Sequence, residues 1–228
     1  WNGVFGSSVL NDGRLLAVIV HVHTERQKMI PHKGAGTWGT EVAQPYCTLS
    51  TDQGRSWSEP VPMDNAALND GDRPDSPCAG FSETSVAQLP AGPDPNGAEG
   101  RIVALARPFH SPFMWQTHSD DGGKSWRMCC YAPFSGSGDP QMVATRSGYL
   151  VSIKRGPAVS LHISTDGGVN WDEGTIIDYP ASFNGSMIEV EPDVILVAYP
   201  ESMGEIRPSY IRAQRIRITP DGPVPVAF

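Results

Sequence analysis

The sequence has little charge, few cysteines and no long apolar run. Charged residues make up only 18% of the 228 residues, which is unlike a disordered or coiled-coil chain. The formal net charge of −8 argues against a surface for nucleic acid or an anionic membrane. It leaves room for a small anionic ligand held by local arginines. No run of about 18 apolar residues occurs, so no membrane-spanning helix is expected.

Metal-binding and disulfide patterns are missing as well. The four cysteines, at positions 47, 78, 129 and 130, show no CxxC spacing and are expected to be buried or half-buried free thiols. His21 and His23 alternate onto one face of a strand, but no third ligand stands at a matching spacing. We therefore expect no metal and no cofactor.

Turn-forming residues, in contrast, are abundant. The chain contains 24 glycines and 21 prolines, and helix signals are nearly absent. This composition is typical of many short strands joined by turns.

One motif, Ser-x-Asp-x-Gly-x-x-Trp, occurs three times, at residues 50–57, 119–126 and 164–171. Each copy follows a short alternating segment that is predicted to be a strand. Asp can accept hydrogen bonds from turn amides, Gly allows positive φ, Ser bonds locally, and Trp can anchor the turn by packing. The motif therefore predicts a tight hairpin turn.

A second repeat alternates with the first. Two strands around a turn are indicated at residues 6–18, 83–107 (with a Pro- and Gly-rich insertion at 92–97), 140–153 and 185–199. Each unit then has four strands, which is the blade of a β-propeller. The sequence predicts one all-β domain of four blades, at about 1–76, 77–136, 137–180 and 181–228.

These repeats resemble the Asp-box family, also called the bacterial neuraminidase repeat family, whose best-known members are sialidases. The resemblance implies a six-bladed propeller of which this chain carries about four blades, with the missing portion N-terminal. It also implies a carbohydrate partner and favours a secreted or periplasmic location. Asp-boxes lie on the outer edge of blades and indicate architecture, not activity.

The resemblance points to residues at the ends of inner hairpins. Glu83 opens one inner strand, Arg107 closes its hairpin, and Arg155 closes the next one. Arginine suits an anionic ligand because its planar fork binds a carboxylate through two hydrogen bonds. Glu83 would tune a nucleophile or act as a base. The alternative is that all three are ordinary charges at solvated strand ends.

The last unit departs from the sialidase pattern. Aligning Ser186-Met187 and Tyr199 with that pattern puts Asn184 where the family has a nucleophilic Tyr. Pro200 then replaces the supporting Glu. Asn cannot form the aryl glycoside that Tyr forms. We expect Asn184 and Tyr199 to contact substrate.

Two further residues complete the candidate set. Asp139 starts an inner strand at a position equivalent to Glu83, so it is a second catalytic candidate. His110 and His118 flank a loop between strands, and His110 is better placed to touch a ligand because it follows Arg107 closely.

The sequence leaves two functions open. The first is a sialidase-like glycoside hydrolase that acts on a terminal sugar, acidic or neutral, at the central pocket. The second is a non-catalytic propeller that binds glycan or protein, which the replaced Tyr favours. The first requires Glu83, Arg107 and Arg155 to face one central pocket.

Overall fold

The structure is a computed structural model that contains eighteen strands and, in the part of the chain it describes, no helix. The described residues are 2–23, 30–31, 37–38, 41–63, 78–91, 100–108, 113–127, 129–135, 139–154, 158–179, 185–201 and 210–228. Among them no helix is long and apolar enough to span a membrane.

Sixteen of the strands form four antiparallel units of four strands, called blades 1 to 4 here. Blade 1 consists of β1 (Asn2–Val9), β2 (Leu15–His23), β5 (Glu41–Ser50) and β6 (Val61–Pro62). Blade 2 consists of β7 (Cys78–Gln88), β8 (Ile102–Pro108), β9 (Phe113–Ser119) and β10 (Cys130–Ser135). Blade 3 consists of β11 (Gln141–Ala144), β12 (Leu150–Lys154), β13 (Val159–Ser164) and β14 (Thr175–Asp178). Blade 4 consists of β15 (Ser186–Glu191), β16 (Val194–Glu201), β17 (Tyr210–Thr219) and β18 (Gly222–Val226).

Two smaller pairings complete the sheet topology. The two-residue strands β3 (Ile30–Pro31) and β4 (Thr37–Trp38) pair with each other. Residues 41–43 of β5 pair in parallel with residues 78–80 of β7, which joins the edges of blades 1 and 2.

The hydrophobic core lies between successive blades. Between blades 3 and 4, for example, Val151 and Leu161 of one blade are buried against Ile195 and Ile216 of the next. Similar clusters join blade 1 to blade 2 and blade 2 to blade 3. Stacking of successive four-stranded sheets in this way is the packing of a β-propeller, so the predicted all-β propeller class is confirmed.

The first strands of the blades, β1, β7, β11 and β15, lie side by side as the inner strands. Gly6 of β1 approaches β7 so closely that a Cβ atom there would lie 2.4 Å from the carbonyl oxygen of Thr84. The Met142 amide of β11 donates to Ser85 Oγ of β7 at 3.0 Å. Thr145, after β11, donates to Asp193 of blade 4 at 2.7 Å. These contacts set the inner strands of successive blades beside one another.

The three copies of the Ser-x-Asp-x-Gly-x-x-Trp motif, at residues 50–57, 119–126 and 164–171, are called Asp-box turns here. They have the predicted hydrogen bonds. In the second copy, Asp121 accepts from Ser119 Oγ at 2.8 Å, from the Ser125 amide at 2.9 Å and from Ser125 Oγ at 2.6 Å. The Gly123 amide donates to Ser119 Oγ at 2.9 Å, and Gly122 and Gly123 have φ values of 74° and 90°. The other two copies repeat this pattern, which confirms the tight turn.

The Asp-box tryptophans pack across the joints between blades. Trp126 of blade 2 packs against the cluster shared with blade 1, and Trp171 of blade 3 packs against the cluster shared with blade 2. Trp171 also donates to Gln116 of blade 2 at 3.0 Å. Each of these turns therefore fastens its own blade to the preceding one. Trp57 of blade 1 is 44% exposed.

The thiols follow the prediction only in part. Cys47 and Cys129 are buried and are not in disulfides, and burial raises the pKa of Cys47 to about 12. Cys130 is an exposed free thiol, because it points away from the core at the start of β10. The side chain of Cys78 is outside the described residues.

Candidate functional site

The Asp-boxes and the candidate residues lie at opposite ends of the blades. The register pairs Ser50, Ser119 and Ser164 with the first residues of the second strands, so the Asp-boxes share one end with the inner-hairpin turns. Glu83 lies in the first half of β7 and Arg107 near the close of β8, toward the other end of blade 2. We call that end the candidate-site end. A polar cleft of about 400 Å³ lies among the inner-hairpin turns, at the Asp-box end.

Glu83 and Arg107 form an ion pair across the inner hairpin of blade 2. Arg107 Nη1 donates to Glu83 Oε1 at 3.0 Å and to Oε2 at 2.9 Å. The local backbone explains why the Glu83 side chain points toward Arg107. Phe81 pairs with Pro108 and Thr84 with Ala106, so β7 has one extra residue between these points. Such a bulge redirects a side chain that regular alternation would point elsewhere.

The pair is half-buried, with the side chains of Arg107 and Glu83 36% and 25% exposed. Both bonds come from Nη1, so Nε and Nη2 of Arg107 are not used in this pair. A guanidinium can bind a second carboxylate through those nitrogens. The arrangement therefore holds the Glu83 carboxylate in position and leaves Nε and Nη2 of Arg107 to donate hydrogen bonds to an anionic group.

Asp139 lies at the same end, two residues before the neighbouring inner strand β11. The Met142–Ser85 bond sets β11 beside β7, with both strands leading away from the candidate-site end. Asp139 is three residues before Met142, and Glu83 is two before Ser85, so they stand at similar heights. Asp139 is half-buried and accepts a 3.3 Å hydrogen bond from Gln141 Nε2. The structure thus brings Asp139 into the region of Glu83.

Three predicted site residues, Arg155, His110 and Asn184, lie outside the described residues. Their parts in the site stay predictions. The side chain of His23 is also outside the described part, and among the side chains that are described no three His, Cys, Asp or Glu residues cluster as metal ligands would.

Tyr199 is placed differently from the sequence prediction. Its side chain is 1% exposed, and its hydroxyl donates to Asp178 Oδ2 at 2.6 Å and accepts from the Gln214 amide. Arg212 Nη1 bonds both oxygens of Asp178 at 3.1 and 3.0 Å. Burial, together with the Asp178 carboxylate, raises the pKa of Tyr199 to about 12. Tyr199 therefore contacts protein at the joint of blades 3 and 4, and this geometry gives it no surface for a substrate.

His118 belongs to the Asp-box end. His118 lies in β9, one residue before the Asp-box, and pairs with Val103 of β8. Its Nε2 lies 3.5 Å from Asp120 Oδ2. Burial and the nearby Arg101 guanidinium lower its pKa. It therefore lies toward the end of blade 2 opposite the Glu83–Arg107 pair.

The sequence did not predict two features: the hydrogen-bond partners of Tyr199 and an exposed aromatic pair in blade 2. The partners of Tyr199 were not predicted because they come from separate blades. Two exposed aromatic residues, Phe113 and Tyr131, were also missed. The alternation of Phe113 with Trp115 was the only local signal, and it is typical of core strands.

Comparison with known proteins yields a match in structure only. No family model matches the chain, and no curated protein sequence matches it. A Hadza microbial sialidase structure is 16% identical over 94% of this chain and 44% of its own, with a TM-score of 0.66. A mutant of the NanB sialidase from Streptococcus pneumoniae is 11% identical over 99% and 48%, with a TM-score of 0.61. The intramolecular trans-sialidase from Ruminococcus gnavus, in complex with oseltamivir carboxylate, is 18% identical over 85% and 41%, with a TM-score of 0.56.

These similarities establish the class of fold. The chain spans less than half the length of these three structures. At such low identity the likeness concerns the fold alone. The protein is an all-β chain of four propeller blades of the type found in sialidases.

Proposed function

We propose that the chain belongs to a sialidase-like glycoside hydrolase that acts on a terminal sugar carrying an acidic group. The observation that carries this proposal is the Glu83–Arg107 pair, half-buried toward the propeller end opposite the Asp-boxes. The sialidase-type fold supports a carbohydrate substrate, because the structures of similar fold include a sialidase and a trans-sialidase.

In this proposal Arg107 recognises the acidic group of the sugar. Its guanidinium would bind the sugar carboxylate through Nε and Nη2 while Glu83 holds Nη1. Arg155 would supply a second guanidinium from the next blade. Two arginines acting on one carboxylate fix the orientation of the sugar ring.

Glu83 and Asp139 are the proposed catalytic carboxylates. Glu83 would help to activate a nucleophile by accepting its proton, and the bond from Arg107 keeps its carboxylate in one orientation. Asp139 stands at a similar height just before the adjacent inner strand, where it would face the same sugar. His110 and Asn184 would add polar contacts at the rim.

The test is hydrolysis of a fluorogenic sialoside by the full-length protein. Glu83→Gln removes the proton acceptor and is expected to lower kcat by a factor on the order of 10² or more. Arg107→Leu is expected mainly to raise KM, because it removes ground-state binding of the carboxylate. Arg146→Leu is the matched control, since Arg146 is a 63% exposed arginine after β11 at the Asp-box end. Turnover that survives in Glu83→Gln and Arg107→Leu would exclude this site.

A non-catalytic propeller that binds glycan or protein is the second candidate. One structural observation favours it. The Tyr199 hydroxyl is buried in a blade joint and its pKa is raised to about 12, so Tyr199 does not replace the nucleophilic tyrosine for which Asn184 stands in this sequence. In that case the full-length protein would bind a sialylated glycan without releasing sugar. Product analysis after prolonged incubation with the sialoside separates the two candidates.

A further inference from the structure

An exposed aromatic cluster lies on the outer hairpin of blade 2, formed by β9 and β10. Phe113 and Tyr131 are 44% and 53% exposed, and their ring centroids lie 6.0 Å apart at an interplanar angle of 62°. Trp115 is 7% exposed and lies 4.6 Å from Tyr131 with a tilt of 53°. Two open rings are thus supported by a third ring that is buried.

The strands hold these rings in fixed positions. Tyr131 pairs directly with Trp115, and Phe113 pairs with Ser135, so the rings share one face of the hairpin. Trp115 in turn packs in a buried cluster with Ala106 and Cys129. An aromatic surface that is ordered before binding loses little conformational entropy when a ligand stacks on it.

The cluster lies toward the same end of the propeller as the candidate site. Trp115 pairs with Ala106, which directly precedes Arg107 in β8, and Phe113 lies two residues nearer that end. Ala106 faces the buried cluster while Arg107 turns to Glu83, so neighbouring residues point to opposite faces of the blade. The cluster is therefore separate from the ion pair, although both lie toward the same end.

The size of the cluster favours a sugar over a protein partner. A stable protein interface needs on the order of 800 Å² per partner, far more than two half-exposed rings offer. A pyranose ring has a face made largely of C–H groups, which packs well on an aromatic ring, while its hydroxyls remain in water. Tyrosine is enriched at binding surfaces, because its ring is apolar while its hydroxyl can stay in water.

We propose that Phe113 and Tyr131 form a stacking platform for neutral hexose rings of a glycan, outside the Glu83–Arg107 site. The platform would hold the part of a branched or multivalent glycan that carries no acidic group. This proposal rests on the carbohydrate-directed function above, but binding to the platform requires no turnover.

The test measures binding of the full-length protein to a polymer that carries lactose, a neutral disaccharide, by biolayer interferometry. Phe113→Ala and Tyr131→Ala are each expected to weaken binding about fivefold to tenfold. Tyr131→Phe keeps the ring and should restore most of the affinity. Tyr179→Ala is the matched control, because Tyr179 is 61% exposed on blade 3. Arg107→Leu should leave lactose binding unchanged.

Three results would overturn the platform: absence of lactose binding by the wild-type protein, full affinity in both alanine variants, or an equal loss in Tyr179→Ala or Arg107→Leu. Thermal unfolding of each variant checks that it is folded. Sialoside turnover is measured on the same samples. If the wild-type protein binds lactose but does not hydrolyse the sialoside, that result counts against the proposed hydrolase alone.

Discussion

Replacing Tyr199 by Phe removes one hydroxyl from the joint between blades 3 and 4. That hydroxyl donates to Asp178 at 2.6 Å, in a site where the Asp178 side chain is only 13% exposed. A hydrogen bond to a charged group contributes about 1.5–3 kcal/mol to stability. Arg212 remains bonded to Asp178, so the carboxylate does not become an unpaired buried charge. We therefore expect Y199F to lower the free energy of unfolding by about 1.5–3 kcal/mol.

The assay is urea-induced unfolding followed by intrinsic fluorescence, supported by thermal unfolding. For a chain of this size, each kcal/mol corresponds to a shift in Tm of about 2–4 °C, so a decrease of roughly 3–12 °C is expected. Tyr179→Phe is the control, since Tyr179 is exposed and should change stability by less than about 0.5 kcal/mol. Equal effects of the two substitutions would refute the structural role of the Tyr199 hydroxyl.

Three further predictions concern the turns and the ion pair. Gly168→Ala and Gly148→Ala should each lower stability by about 1–2 kcal/mol in urea unfolding, because both glycines have positive φ and the Gly168 Cβ would make only an ordinary 3.4 Å contact with Val103. Burial would raise the pKa of Asp121, but the hydrogen bonds it accepts lower that pKa to about 2, below the usual range of an aspartate. Its stabilisation is therefore present above about pH 4 and lost as the pH falls to about 2, so the Tm of the wild type should fall more in that window than that of Asp121→Asn. Arg107→Lys should raise KM for a sialoside about tenfold in steady-state assays, because an ammonium lacks the planar fork.

The Asp-box turns could be predicted from the sequence because their structure is local. Ser119, Asp121 and Ser125 bond one another within seven residues, so spacing alone fixes the geometry. The first copy has Gln53 where the others have Gly122 and Gly167, yet Gln53 also takes a positive φ, of 63°. The hydrogen bonds of the turn therefore impose this backbone conformation even without glycine.

The candidate site was predictable where it depends on hairpin ends. Glu83 and Arg107 are 24 residues apart, but the inner hairpin brings them opposite each other, and their positions at its ends could be read from the repeat. The bulge that aims Glu83 leaves no sequence signal. Tyr199 could not be assigned in this way, because its partners lie in another blade and in another strand, and packing between blades decides its environment.

The most direct test of the account is a crystal structure of the full-length protein with bound sialic acid. We expect the sugar carboxylate to accept hydrogen bonds from the Arg107 guanidinium, with Glu83 still on Nη1 and the sugar ring at the inner-strand end opposite the Asp-boxes. A sugar bound elsewhere, with the Glu83–Arg107 pair untouched, would contradict it.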